Sequence, residues 1–244
     1  ELFIANSILW NDVRSEITAD SFWGRSGLPE SSTVEVIYSD VRLRSELGVS
    51  WSWSGQGNIS VDPCFVTPGY WSGEPYYSRD PAMWVEGDYH LQSQGWRWSP
   101  SLSHGTHWVW DEQTSLCIDT GNPGSPLGGE LRVVPNDPNS EFGRNIRVNL
   151  GAYGGTAQAS MAPPGWALLG DLTNDGTVDD QDLTLWEENA MDSGDESPAD
   201  LDRDGDVDAA DSALLDQDWQ STTMWFGTMP PLQPVASPQP PPRR

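Results

Sequence analysis

The chain has 244 residues, enough for one large domain or two smaller ones, and carries 37 acidic residues against 12 basic ones for a net charge of −25. Such a surface repels polyanions, which argues against binding to nucleic acid or to an anionic membrane. The sequence contains no run of about 18 apolar residues, so it predicts no membrane span.

Residues 1–160 contain short β-rich runs between long turn-rich stretches. The runs cover residues 3–10, 33–41, 58–66 and 89–93. Because a strand-like run follows residue 1 almost at once, we expect a fragment that begins inside a domain. Ile8, Ile37 and Ile59 lie 29 and 22 residues apart in the middle of such runs, a period typical of a solenoid. The irregular spacing leaves an antiparallel sandwich open as the alternative.

Tryptophan is unusually abundant, with ten of the 14 lying before residue 111. Three pairs are spaced by two residues, which in a strand places both rings on one face. These are Trp51 with Trp53, Trp96 with Trp98, and Trp108 with Trp110. A stacking surface for sugars is one interpretation. Their Gly-, Ser- and Pro-rich surroundings favour the other, in which the rings cover long loops.

The composition changes after residue 160. Residues 161–165, Met-Ala-Pro-Pro-Gly, predict a stiff linker. Residues 166–220 hold 18 of the 37 acidic residues and a single Arg, and therefore −17 of the −25 charges. Residues 221–244, with seven Pro in the last fifteen positions, predict a disordered tail. We therefore predict a domain over 1–160, a linker over 161–165, a second domain over 166–220 and a tail over 221–244.

Two twelve-residue acidic loops dominate the second domain: loop one, 171–182, and loop two, 200–211. Each has oxygen-bearing side chains at positions 1, 3, 5, 9 and 12, and Gly at position 6. Calcium takes six to eight oxygen ligands, and the glycine permits the sharp turn that wraps the ion. The predicted ligands, with position 7 contributing its backbone carbonyl, are Asp171, Thr173, Asp175, Thr177, Asp179 and Asp182, and Asp200, Asp202, Asp204, Asp206, Asp208 and Asp211.

These two ligand sets predict two bound calcium ions. Thr173 is an uncharged ligand where loop two has Asp202. Since ligand charge tunes affinity, we expect loop one to bind calcium more weakly. Val178 and Val207, both at position 8, are expected to pair across the loops.

Each loop continues into a short helix with one apolar stripe. Leu183, Leu185, Trp186 and Ala190 form the first stripe, and Ala213, Leu214, Leu215 and Trp219 the second. No full helix enters either loop, because residues 166–171 are too few and Pro198 blocks the second. This duplicated loop-then-helix motif, with Asp at position 12, resembles the type I dockerin of bacterial extracellular complexes. The resemblance covers about 166–220.

The dockerin resemblance implies calcium-dependent folding and secretion. It also implies docking onto a cohesin-type module of a scaffold or cell-surface partner, in extracellular polysaccharide degradation. In that family, positions 10 and 11 of each loop help to choose the partner. Those positions hold Asp180 and Gln181 in loop one and Ala209 and Ala210 in loop two, which departs from the frequent Ser-Thr and leaves the partner open. A purely structural role for calcium is the alternative.

Residues 1–160 resemble the final coils and cap of secreted right-handed parallel β-helix proteins. The resemblance rests on segments 6–10, 57–65, 87–91, 115–121 and 149–155. The expected fold class is therefore mainly β. It comprises the end of a right-handed parallel β-helix and a small all-α dockerin-like module with two EF-hand-type calcium loops. In an extracellular protein Cys64 and Cys117 would either pair or serve as two small buried hydrophobic side chains.

β-Helix proteins of this kind include polysaccharide lyases and glycoside hydrolases, so an enzyme is a competing hypothesis. Glu86 and Asp88 lie near His90 and would suit acid–base chemistry, yet their segment predicts the start of a strand. His104 and His107 lie in a Gly- and Ser-rich loop, which does not favour a metal pair. Because no catalytic pattern is visible, an enzyme of this kind would be expected to carry its chemistry upstream of residue 1. A carbohydrate-binding surface on the Trp pairs is the third hypothesis.

Overall fold

A computed structural model describes residues 2–10, 34–42, 45–46, 49–50, 55–72, 83–103, 106–132, 145–190 and 197–226. Among them, the strands are β1 Leu2–Ala5, β2 Ile8–Leu9, β3 Val34–Ile37, β4 Asp40–Val41, β5 Ser45–Glu46, β6 Val49–Ser50, β7 Phe65–Thr67, β8 Tyr70–Trp71, β9 Trp84–Val85, β10 Asp88–Leu91, β11 Arg97–Ser103 and β12 Thr106–Val109. The helices of the described residues are α1 Asp180–Asn189 and α2 Ala209–Gln217. Neither is long and apolar enough to cross a bilayer.

The first strands pair in parallel, whereas the later ones pair antiparallel. β1 runs parallel to β3 and β2 runs parallel to β4. Asp40 also forms a parallel bridge with Ile59. Antiparallel pairs follow: β5 with β6, β7 with β10, β8 with β9, and β11 with β12. The described strands therefore form six separate two-stranded sheets.

The predicted fold class, a right-handed parallel β-helix followed by an all-α module, is wrong. No sheet among the described strands is closed or coiled, and from β5 onward the paired strands are antiparallel. Ile8 lies opposite Asp40 rather than Ile37, so the isoleucines do not form one column. Side chains also take over the backbone partners that a longer ladder would supply: Asn58 Nδ2 donates to the Val36 carbonyl at 2.6 Å.

The principal hydrophobic core connects the N-terminal strands to the residues ahead of loop one. Its buried members are Leu91, Leu116, Cys117, Ile118, Leu150, Ala162 and Trp166. Within the segment predicted to be a linker, Met161 and Ala162 are buried, and the Met161 amide donates to the Trp96 carbonyl at 2.8 Å. These linker residues thus pack as part of the N-terminal core.

A second core lies beneath the two loops. Its buried members are Leu172, Val178, Leu201 and Leu215. The sequence predicted that Val178 would pair with Val207. The backbone of Val178 instead exchanges hydrogen bonds with Gln220 and Ser221. Thr177 forms an antiparallel bridge with Thr222, so the C-terminal part is not purely helical. The predicted tail covered 221–244, but its first residues pack against loop one: the Thr223 amide donates to the Gly176 carbonyl at 2.9 Å. Residues 227–244 lie outside the described residues.

Candidate metal centre

Loop one and loop two have the same backbone conformation. Position 4 is left-handed in both, with φ of 59° at Asn174 and 62° at Arg203. Position 6 has φ of 90° at Gly176 and 94° at Gly205, a region that glycine enters without steric cost. The duplication in the sequence is therefore also a duplication of structure.

The position-1 carboxylates hold each loop in its turn. Asp171 accepts from the backbone N–H groups of positions 5 and 6, over 3.1 and 3.0 Å. Asp200 accepts from the equivalent groups of loop two, over 3.2 and 3.0 Å. Because two successive N–H groups at the turn point inward at one carboxylate, the chain curls around that group, as an EF-hand loop curls around its ion.

The position-12 carboxylates close each loop from the first turn of the following helix. Asp182 and Asp211 each accept from the position-9 amide at 2.8 Å. They also accept from the position-3 amide, at 2.9 and 3.1 Å respectively. Asp179 and Asp208, at position 9, complete capping boxes at the starts of α1 and α2. Each twelve-residue pattern therefore encodes both the loop and the start of its helix.

In loop two, three carboxylates form a close cluster. One oxygen each from Asp200, Asp202 and Asp204 lies within 4.8 Å of the other two. Ligands of one calcium ion sit at about 2.3–2.6 Å from it, so they lie at most about 5 Å from one another. The spacing fits a single cation, and an all-oxygen donor set suits a hard ion such as calcium.

Loop one has the same frame but fewer charges at its centre. The Thr173 hydroxyl donates to Asp182 Oδ1 at 3.1 Å, so two predicted ligands are hydrogen-bonded to each other. The Thr177 hydroxyl donates to Asp175 at 2.6 Å. An ion entering this loop must compete with these hydroxyls for the carboxylate oxygens. This competition agrees in direction with the weaker binding predicted for loop one.

Burial raises the pKa of two carboxyl groups in loop one. Asp171 is buried, and this burial raises the pKa of its carboxyl group to about 7; Arg147 opposes the shift, while Asp182 and Asp175 add to it. Burial likewise raises the pKa of Asp182. Carboxylates brought together in this way repel one another, and a bound cation would relieve that repulsion.

All twelve predicted ligand residues lie in the described part of the chain, six on each loop. The four predicted partner-binding residues, Asp180, Gln181, Ala209 and Ala210, are exposed at the starts of α1 and α2. Sequence reasoning missed the residues that attach the loops to the rest of the molecule: Asn174, Arg203 and Arg147. Asn174 and Arg203 gave a weak signal because position 4 of such a loop is not a ligand position. Arg147 gave none because it lies outside both loops.

The acid–base group considered near β10 is present as a pair but is enclosed. His90 Nδ1 lies 2.5 Å from Asp88 Oδ1. The imidazole is stacked on Tyr153 with 3.6 Å between ring centroids, and the residue is only 3% exposed. Glu86 accepts instead from the Trp84 indole N–H at 3.1 Å. An imidazole enclosed in this way has no open path to a polymeric substrate. His104 lies outside the described residues.

The tryptophan pairs divide between packing and exposure. Trp98 lies opposite Trp108 across β11 and β12, and with Trp96 it packs around buried Trp108 and Met161. These rings therefore pack between paired strands rather than over long loops, whereas Trp110 is 54% exposed. Trp51 and Trp53 lie outside the described residues.

A different aromatic group is exposed on the hairpin of β8 and β9. Tyr70, Trp71 and Trp84 are 57%, 49% and 45% exposed. The rings of Trp71 and Trp84 meet edge to face with centroids 5.4 Å apart. Sequence spacing gave no sign of this pair, because only the antiparallel pairing of the hairpin brings the two residues together.

Cys64 and Cys117 are both free thiols. Cys117 is buried, and its thiol donates to the Asp40 carboxylate at 3.3 Å. Burial, reinforced by Asp40, raises the pKa of Cys117 well above its usual range. Cys117 therefore belongs to the core, the second of the two roles that the sequence left open for it.

Comparisons of the chain with protein-family models, with curated proteins and with solved structures find no match. The interpretation of the loops therefore rests on their own residues and geometry.

Proposed function

We propose that this protein binds two calcium ions, one in each acidic loop. The observation that carries this proposal is the shared hydrogen-bond frame: in both loops the same positions donate and accept, and the same positions are left-handed. In loop two the frame brings three carboxylates to one point. A solvated acidic coil would not form the same hydrogen-bond pattern in two loops that begin 29 residues apart.

Calcium suits the loops better than magnesium does. Magnesium demands nearly ideal octahedral geometry at about 2.0–2.1 Å and retains several waters, whereas calcium accepts flexible coordination by six to eight oxygens. The predicted ligands provide carboxylates, one hydroxyl and backbone carbonyls on a continuous chain, which is a flexible donor set. Affinities in the range of extracellular modules, about 10⁻⁴–10⁻³ M, would suffice in a secreted protein.

Calorimetric titration of the full chain with calcium, and separately with magnesium, tests this proposal. We expect two calcium ions per chain, with the weaker site assigned to loop one. Asp204→Asn should abolish the site in loop two. Asp216→Asn removes the same charge from the exposed face of α2 and should leave both sites intact. If wild-type protein binds no calcium, or if both variants lose binding equally, a specific loop site is excluded.

Attachment to a cohesin-type partner is the function that we propose for the two-ion module, in an extracellular setting. Its support is the exposure of the four residues at loop positions 10 and 11, together with the dockerin-like order of loop and helix. Their chemistry is unequal, since one loop offers Asp180 and Gln181 and the other offers two alanines. A partner would therefore contact one charged face or one apolar face.

Pull-down of the full chain by immobilised type I cohesin modules, with calcium and with a chelator, tests the attachment. Binding should require calcium. Ala209→Arg and Asp180→Arg should each weaken capture if they lie on the face in use, whereas Glu188→Arg, exposed near the end of α1, should not. Calcium binding without capture by any cohesin would leave a purely structural role.

A carbohydrate-binding surface is a second candidate function, and the exposed β8–β9 hairpin favours it. Sugar rings stack on exposed aromatic faces, and the Glu86 carboxylate beside Trp84 can accept a hydroxyl hydrogen bond. A glycan array probed with wild type and with Trp71→Ala would test it, with Trp110→Ala, an equally exposed tryptophan, as the control. The enzyme hypothesis has less support, because it drew on the β-helix fold that the described strands do not form.

A further inference from the structure

The fourth residue of each acidic loop attaches that loop to the N-terminal part of the chain. Asn174 Nδ2 donates to the carbonyls of Gly57 at 2.8 Å and Thr120 at 2.9 Å. The Arg203 guanidinium donates to three carbonyls: Nε to those of Pro123 at 2.9 Å and Ser125 at 3.1 Å, and a terminal nitrogen to that of Ile146 at 2.7 Å. Equivalent positions of the two loops thus make equivalent contacts with distant backbone.

These contacts converge on one short segment, residues 120–125. Four of its carbonyls accept side-chain hydrogen bonds: Thr120 from Asn174, Pro123 and Ser125 from Arg203, and Gly121 from Arg147. Arg147 is 1% exposed and also donates to the Asp171 carbonyl at 2.6 Å, at the first position of loop one. The segment is therefore held between both loops and a buried arginine.

Loop conformation decides whether these contacts form. In the wrapped loop, positions 3 and 5 turn inward and position 4, in its left-handed conformation, directs its side chain outward. The left-handed conformation is sterically unfavourable for a residue other than glycine. The clustered carboxylates add like-charge repulsion to this cost, and a bound cation removes it. An ion and the 120–125 carbonyls therefore stabilise the same loop conformation, so the two are coupled reciprocally.

We propose that calcium bound in the two loops stabilises the attachment of segment 120–125 to them, and through this segment stabilises the N-terminal core. Asn174 and Arg203 are the coupling residues. This inference rests on the calcium binding proposed above. The N-terminal region is thus the intramolecular partner of the loops, and calcium stabilises segments that contain no ligand. Segment 120–125 is bonded to the neighbouring core, since the Gly121 amide donates to the Val148 carbonyl, and just ahead of the segment the Cys117 carbonyl accepts from the Leu150 amide.

Hydrogen exchange of the full chain, followed by mass spectrometry with and without calcium, provides the test. In wild type, calcium should slow exchange in the loops and also, by about tenfold, in peptides covering 116–126 and 145–151. In the Asn174→Gly and Arg203→Gly variants calcium should still protect the loops but protect the distant peptides much less. Glycine is the chosen replacement because it removes the side chain and keeps the left-handed backbone available.

Arg132→Gly is the matched control, since it removes the same side chain and charge from an exposed site and should behave as wild type. Protection restricted to the loops in wild type would overturn the coupling while leaving calcium binding intact. Distant protection that persists in both variants would also overturn it. Absence of calcium binding would remove both the proposed function and this inference. Calorimetry on the same samples distinguishes that outcome from the others.

Discussion

Loop one and loop two share a ligand pattern and a backbone but not an environment. The position-1 carboxyl is buried in both loops, but loop one is otherwise more enclosed: Val178 is buried, and Trp225 lies over Gly176. Loop two is open, with Asp202, Asp204 and Asp206 all exposed. The twelve residues of each loop therefore specify its backbone conformation. How far the loop is buried depends on which other residues of the chain pack against it.

The largest expected effect comes from the arginine beside loop one. Arg147→Met should lower the free energy of unfolding by about 4 kcal/mol, because the buried carbonyls of Asp171 and Gly121 lose their donors. Urea unfolding measures this loss, and calorimetry should show that loop one loses more calcium affinity than loop two. Arg132→Met, at an exposed site, is the control. Equal weakening of both loops would contradict the contrast between them.

The glycines at position 6 give the next effect. Gly205→Ala should cost roughly 1–2 kcal/mol from its positive φ alone, since an added Cβ meets nothing within 4 Å. Gly176→Ala carries the same backbone cost, but its Cβ would lie 2.7 Å from the Trp225 ring. We expect a total of about 3 kcal/mol or more. Equal losses in thermal unfolding would mean that Trp225 does not lie against loop one.

The valines at position 8 are a smaller matched pair. Val178 is fully buried and Val207 is half-buried. Val178→Ala should cost about 2 kcal/mol and Val207→Ala less than about 1 kcal/mol, because only the first leaves a cavity. Denaturant unfolding in calcium buffer distinguishes them. A larger cost at Val207 would reverse the assignment of the enclosed and open loops.

The smallest expected effect concerns the ligand at position 3. Thr173→Asp should tighten calcium binding to loop one by roughly tenfold, and Asp202→Thr should weaken loop two by a similar factor, since ligand charge tunes affinity. Titration calorimetry of each variant measures this. The double exchange should invert the order of the two sites. If the order persists, the environment rather than ligand charge sets the relative affinity.

Within the loops, sequence reasoning located the turns and the helix that continues each loop. That success has a local cause: Gly at position 6 and the paired Asp at positions 9 and 12 act within a few residues of one another. The partner of Val178 was not predictable in this way. Gln220 and Ser221 reach Val178 by folding back over some forty residues of chain.

In the N-terminal part, sequence periodicity was misleading. Hydrophobic runs at intervals of 29 and 22 residues indicated a coil of parallel strands, and the first pairs are indeed parallel. Whether such pairing continues depends on which backbone groups find other partners. The Asn58 side chain is one such partner, because it donates to the Val36 carbonyl. The later runs fold back as antiparallel pairs. Strands of two to four residues carry too little pattern to distinguish the two outcomes.

The sequence by itself determined the chemistry of this protein: two oxygen-rich loops, each continuing into a capped helix, on a strongly acidic chain. The tertiary structure decided where that chemistry lies. It enclosed one loop and exposed the other, and it turned position 4 of each, which is not a ligand, into an attachment to segment 120–125. The physical reason is range: ligand spacing and helix capping act between near neighbours, whereas burial and carbonyl acceptors come from residues up to 117 positions away.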